Sequence, residues 1–177
     1  MRAEAVERVR VVFGLFDVDG NGYLEADDFE LMAERVIRSV PTADDGAKRA
    51  MLDAFRRYWG TLVEELDADR DGRVSFDEYT ACVLSPERFD GAIGEFAEAL
   101  SRLGDLEGDG FVRRPVFVAL MTAIGFRLPN IHALFDAFEP TDSDRIARET
   151  WDLGIREYYG PDKAGIPGDH LVGEAAA

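Results

Sequence analysis

Apolar side chains recur along this chain at intervals of three and four. Val6, Val9, Val12, Phe13 and Phe16 make the first run, and Phe29, Met32 and Val36 the second; this spacing lines one face of an α-helix. A longer run carries Phe55, Tyr58, Trp59, Leu62 and Leu66, and Phe76, Tyr79 and Val83 resume the period after it. Two more pairs follow: Phe89, Ile93, Phe96 and Leu100 with Val116, Leu120 and Ile124, then Ile131, Leu134, Phe135 and Phe138 with Trp151, Ile155 and Tyr158. Strand-like alternation is confined to the short segments between runs, so the predicted fold class is all-α.

Each pair of runs brackets a short acid-rich loop. The loops start at Asp17, Asp67, Asp105 and Glu139, at intervals of 50, 38 and 34 residues, and this repeating helix-loop-helix unit covers most of the chain. Pro41 to Gly46 reads as a linker. Ser85-Pro86-Glu87 supplies an N-cap residue followed by proline at a first helical position, which stops one helix and starts the next and argues against a continuous rod. The organisation expected is a first pair of units over residues 1–85, a second over 86–159, and a Gly/Pro-rich tail over 160–177. That tail is either a frayed terminus or, through Ile166, Leu171 and Val172, a segment packed back on the core.

The loops carry the chemistry. Residues 67 to 78 read D-A-D-R-D-G-R-V-S-F-D-E, matching every position of a twelve-residue calcium loop. A hard cation takes six to eight oxygens, so Asp67, Asp69 and Asp71 alternate around a tight turn that Gly72 permits, with the Arg73 carbonyl, Ser75 directly or through water, and Glu78 with both carboxylate oxygens. Residues 17 to 28 place Asp17, Asp19, Asn21, the Tyr23 carbonyl and Glu25 in the same roles. That loop closes on Asp28, one methylene shorter than glutamate, which weakens calcium and admits magnesium unless Glu25 ligates directly. The third loop keeps Asp105, Glu107, Asp109 and Gly110 but has Arg113 and Val116 where oxygens belong, and the fourth has Thr141, Asp144 and Thr150 at positions that usually hold an acid, a glycine and an acid. These two loops are expected to hold no ion yet to remain folding elements, with Val112 and Ile146 pairing backbones as Leu24 and Val74 do.

Charge narrows the partners. Acidic residues outnumber basic ones 36 to 20, a formal charge of −16, and such a surface repels a phosphate backbone, so nucleic acid is excluded as an expected partner. The stretch from Met1 to Gly14 is amphipathic and charged rather than a long apolar signal, and a lone Cys82 forms no internal disulfide. A cytoplasmic, monomeric protein without a membrane partner is expected. Lys48 and Lys163 are the only lysines, the bias that codon usage in a GC-rich genome produces.

These loops and their helical flanks make the chain resemble the EF-hand superfamily, and within it the sarcoplasmic calcium-binding proteins and bacterial relatives such as calerythrin. The segment from Ala164 to Gly173 is similar to that family's proline-glycine tail ending in apolar residues. The resemblance implies four hands in two pairs facing each other as one compact domain, with the tail packed into it. Two calcium ions are expected, in the first and second loops. Only 4 methionines against 12 phenylalanines suit a rigid core better than the methionine-lined groove of a sensor, hence a calcium buffer or signal modulator; an enzyme is not expected. The alternatives are a sensor that engages an unidentified protein partner on loading, and a photoprotein-type binder of a small molecule walled by Tyr58, Trp59, His132, Trp151, Tyr158 and His170. No catalytic set appears at motif level.

Overall fold

A computed structural model describes residues 3–84 and 86–173, with the backbone alone for 82–84. The expected N-cap at Ser85 and the side chains of Cys82 and Val83 lie outside the described residues. The order is α1 (Ala3–Phe16), β1 (Tyr23–Leu24), α2 (Ala26–Arg38), α3 (Asp45–Leu66), β2 (Val74–Ser75), α4 (Phe76–Leu84), α5 (Asp90–Gly104), β3 (Phe111–Arg113), α6 (Arg114–Ile124), α7 (Leu128–Ala137), β4 (Arg145–Ala147) and α8 (Arg148–Tyr158). Three-residue and five-residue 3-10 turns stand at Pro86–Arg88 and Pro167–Leu171. The fold is all-α, and its only strands among the described residues are the short ones inside the loops.

The apolar stripes face inward. Val9, Val12, Phe13 and Phe16 of α1 are buried, as are Phe55, Tyr58, Leu62 and Leu66 of α3, and the solvent face of each helix keeps its charges. β1 pairs with β2 in antiparallel fashion, with Leu24 opposite Val74, and β3 with β4, with Val112 opposite Ile146. These four residues are at most 2% exposed, so each pair of loops is stitched by one buried aliphatic couple, as expected. The halves share a core: the Phe55 and Phe96 rings meet edge to face at 5.1 Å, and Tyr58 touches both Phe96 and Tyr159. Gly104 lets α5 approach α8 here, since a Cβ on it would stand 2.8 Å from the Trp151 ring.

One helix start differs from expectation. α5 begins at Asp90 with Phe89 as its N-cap residue, and Pro86–Arg88 forms a separate turn before it. The reason is Phe89 itself, whose side chain is wholly buried while its N–H reaches the Pro86 carbonyl at 3.0 Å and its carbonyl accepts from Ile93 at 2.8 Å. α7 starts at Leu128, ahead of Pro129, which occupies a first-turn position where the missing N–H costs nothing. The linker is also shorter than read, because Asp44 caps α3 by accepting from the Ala47 N–H at 3.0 Å.

Beyond α8 the chain folds back. Leu171 is buried, and the Asn130 amide of α7 donates to the carbonyls of His170 and Gly173 at 2.9 and 3.0 Å. From the other side Arg8 of α1, wholly buried, donates to the Tyr158, Gly160 and Lys163 carbonyls and to the Asp169 carboxylate.

Candidate metal centres

The first two loops share one backbone plan. Asp17 accepts from the N–H groups of Asn21 at 3.0 Å and Gly22 at 2.9 Å, and Asp67 accepts from Asp71 at 3.1 Å and Gly72 at 3.0 Å. Those bonds wind each loop so that its acids converge. Carboxylate oxygens of Asp17, Asp19 and Asp28 lie within 4.8 Å of one another, and so do those of Asp67, Asp69 and Asp71. Like charges held that close are mutually unfavourable without a cation between them, and an all-oxygen cluster is the donor set of a hard divalent ion. The residues therefore fit such an ion at both loops.

The closing acids do the same job with different reach. Glu78 accepts from Ala68 N–H at 3.1 Å and Ser75 N–H at 2.9 Å; Asp28 accepts from the equivalent pair, Val18 at 3.1 Å and Glu25 at 2.9 Å. A side chain one methylene shorter meets the same two amides only if the first turn of α2 stands closer to its loop than that of α4. Asp28 is accordingly 3% exposed, and burial pushes its carboxyl up, against the pull of the Glu25 and Val18 amides and with help from neighbouring Asp19 and Asp17. For Glu78 the balance runs the other way: the Ser75 N–H holds its carboxyl below the usual range.

The remaining expected ligands are engaged locally. The Asn21 amide nitrogen donates to Asp19 at 3.2 Å and to Glu25 at 2.7 Å, while its oxygen accepts from Tyr23 N–H at 2.9 Å. Glu25 also faces Arg73 of the second loop at 3.2 Å, and that guanidinium lies 5.4 Å from the Tyr23 ring centroid. Glu25 thus sits at the seam between loops, outside the clustered trio. The Ser75 hydroxyl donates to Glu78 at 2.9 Å and accepts from its N–H at 3.3 Å, the reciprocal capping of a helix start. Sequence reasoning missed the Glu25–Arg73 link, as well as Arg70 with φ of 60° where Gly20 and Gly108 stand in the other loops; a non-glycine residue there costs about 1–2 kcal/mol.

The third and fourth loops hold guanidinium groups against their acids. Arg113 forks onto Glu107 at 3.0 and 3.1 Å, Arg145 reaches Asp109 at 2.8 Å, and Arg114 meets Asp144 at 2.9 Å and Asp136 at 2.6 Å. Arg114 and Arg145 also lie over the Phe135 and Phe111 rings at 4.3 and 4.5 Å. The Arg114 hydrogen bond holds the Asp144 carboxyl below its ordinary range. A carboxylate depressed in the folded state stabilises it above the unfolded value, near 3.8, and that contribution is lost as pH falls through the lower folded value. As pH falls below 3.8 the Arg114 amide, which donates to the Asp144 carbonyl, should therefore lose exchange protection, and Asp144→Asn should flatten the profile; a variant whose profile still falls as in the unmutated chain would dismiss the link.

Residues 6–84 match the family described as an EF-hand domain pair. A sarcoplasmic calcium-binding protein of Scylla paramamosain is 32% identical over 56% of this chain and 56% of its own length. Calerythrin of Saccharopolyspora erythraea is 21% identical over 89% of this chain and 93% of its own. A Streptomyces coelicolor calcium-binding protein superposes with a TM-score of 0.74 over 90% of this chain and 99% of its own at 22% identity, which establishes the shared fold. The chain spans 56% to 63% of the length of the first curated relatives it matches. Residues 6–84 are an EF-hand pair, and the sarcoplasmic calcium-binding proteins and calerythrin are relatives of the chain. No helix among the described residues is long and apolar enough to cross a membrane.

Proposed function

We propose, with residues 6–84 an EF-hand pair, that the chain binds two calcium ions and serves as a calcium buffer or signal modulator. The observation that carries the reading is the pair of three-carboxylate clusters. Asp17, Asp19, Asn21, the Tyr23 carbonyl, Asp28 and, if it turns inward, Glu25 would hold one ion; Asp67, Asp69, Asp71, the Arg73 carbonyl, Ser75 and Glu78 the other. The ion supplies the positive charge that the converging acids lack.

Buffering is favoured over sensing by where the adaptable side chains lie. Met32, Met51 and Met121 are at most 4% exposed, and the exposed large apolar residues Tyr23, Leu31, Leu106, Leu128 and Leu153 stand on five separate segments, so they offer a partner helix no common apolar patch. The small-molecule reading has less support. An apolar cavity of about 60 Å³ does lie between the halves, lined by Phe16, Leu134, Trp151, Tyr158 and Leu171, among others, but Tyr58, Trp59, His132 and His170 do not line it. Its volume falls well short of the ~300 Å³ at which ligand pockets begin.

Calorimetric titration with calcium, with and without magnesium, tests the reading: two ions are expected, with a dye for apolar surface no brighter after loading. Tight binding at the Asp105 loop, or a large calcium-dependent rise in dye signal, would overturn the stoichiometry or the buffer assignment respectively. The two sites should differ. The first, with its short closing acid, discriminates less between calcium and magnesium, and Asp28→Glu should raise its preference for calcium about tenfold, or ~1.4 kcal/mol. Unchanged or poorer selectivity in that variant would show that side-chain reach does not set the preference.

A further inference from the structure

Arg8 stands in the first apolar run, on the helix that leads into the first loop, yet every acceptor of its buried guanidinium belongs to the far end of the chain. Nε donates to the Tyr158 carbonyl at 2.7 Å, Nη2 to the Gly160 and Lys163 carbonyls at 2.9 and 3.0 Å, and Nη1 to Asp169. The Tyr158 hydroxyl returns a bond to the Arg8 carbonyl at 3.2 Å. Asp169 is itself the organiser of the tail, because its second oxygen accepts from Gly165 N–H at 2.7 Å and Ile166 N–H at 3.2 Å. One carboxylate thus shapes the tail turn and fastens it to α1.

The first loop is the one that should feel this. Asp17 continues α1, its N–H bonded to the Phe13 carbonyl at 2.9 Å, and at about 1.5 Å per residue Arg8 lies roughly 14 Å up the same rigid rod. A loop closed by aspartate has no slack: Asp28 meets Asp17 and Asp19 only while α1 keeps its place beside the first turn of α2. The second loop, closed by the longer Glu78 and entered from α3, lacks that constraint.

We infer that Arg8 is a positioning residue for cation binding at the first loop, acting through Asp169 and the tail. The inference rests on the reading that the first loop binds calcium. Because coupling is reciprocal, calcium at that loop also tightens the docked tail.

The test is a calcium titration of the full chain followed at the Gly22 and Gly72 amides, which report the two loops separately. Asp169→Ala should weaken the first site about tenfold and leave the second within about twofold, a coupling of ordinary size. Asp169→Asn, which keeps an acceptor and removes the charge, should fall between wild type and Asp169→Ala. In the unmutated protein, calcium should slow amide exchange at Gly165 and Ile166 by a comparable factor, a measurement that needs no variant to fold. Equal weakening of both sites, an unchanged first site, or tail amides indifferent to calcium would overturn the coupling while two ions still bind. A wild-type chain that binds one ion, lost in Glu78→Gln, would overturn the two-ion reading and the coupling with it.

Discussion

Glu78→Gln should reduce the calcium count from two to one in a titration at micromolar calcium, with the affinity of the second loop falling at least about 100-fold, or ~2.7 kcal/mol. The carboxylate has two tasks there. It stands at the closing position of the loop that clusters Asp67, Asp69 and Asp71, where it is proposed to complete the ligand set, and its two oxygens accept separately from Ala68 N–H at 3.1 Å and Ser75 N–H at 2.9 Å. A carboxamide keeps one acceptor oxygen and turns an –NH2 toward one of those donors. The variant therefore loses a charge from the site and sets two N–H groups against each other, and hydrogen bonds to charged groups are worth about 1.5–3 kcal/mol each. The loss should show again in melting temperature, because an ion at 100 times its dissociation constant stabilises the folded state by about 2.7 kcal/mol. The first loop should weaken by a smaller factor through the Leu24–Val74 pairing. Two ions bound with unchanged affinity would remove Glu78 from the ligand set.

What could be read from the sequence was whatever has a local cause. The position before the ninth residue of each loop must present an aliphatic side chain to its neighbour, so Leu24, Val74, Val112 and Ile146 announced their pairing, and the structure joins them. Helical periodicity announced the buried stripes for the same reason. Arg8 had no such signature. Beside Val6 and Val9 it reads as a charge turned to solvent, and its burial depends on carbonyls 150 or more residues away that nothing in its neighbourhood foretells. The arginines of the second pair were half legible. Arg113 at a ligand position signalled a loop unsuited to a cation, but the fork onto Glu107 and the crossing of Arg114 and Arg145 between loops needed coordinates. Arg70 was missed although Gly20 and Gly108 at the same loop position were the signal that could have found it, since the loop demands a positive φ there. Pro86 opens a short turn of its own, and α5 starts only after Phe89, whose buried ring no local signal placed at a helix start.

Arg113→Asp combined with Val116→Glu should give the chain a third ion. The third loop already has the winding of the other two: Asp105 accepts from Asp109 N–H at 3.1 Å and Gly110 N–H at 2.9 Å, and Gly108 and Gly110 take φ of 67° and 84°, close to the 72° and 86° of Gly20 and Gly22. Val116 is the third residue of α6, just as Asp28 and Glu78 are the third residues of α2 and α4. A glutamate there starts from the register at which Glu78 reaches its two loop amides. Removing the Arg113 guanidinium frees Glu107 from its fork and takes a cation from beside the site, while the aspartate put in its place adds an oxygen. Arg145 still pairs with Asp109 at 2.8 Å, so the new site should be weaker than the second loop, and Arg145→Gln added to the pair should strengthen it. Calorimetry should count three ions where the unmutated chain takes two. A count still at two in a folded double variant would mean that the remaining guanidiniums, rather than the missing carboxylate, keep cations out, and the triple variant would then be the one to gain the ion.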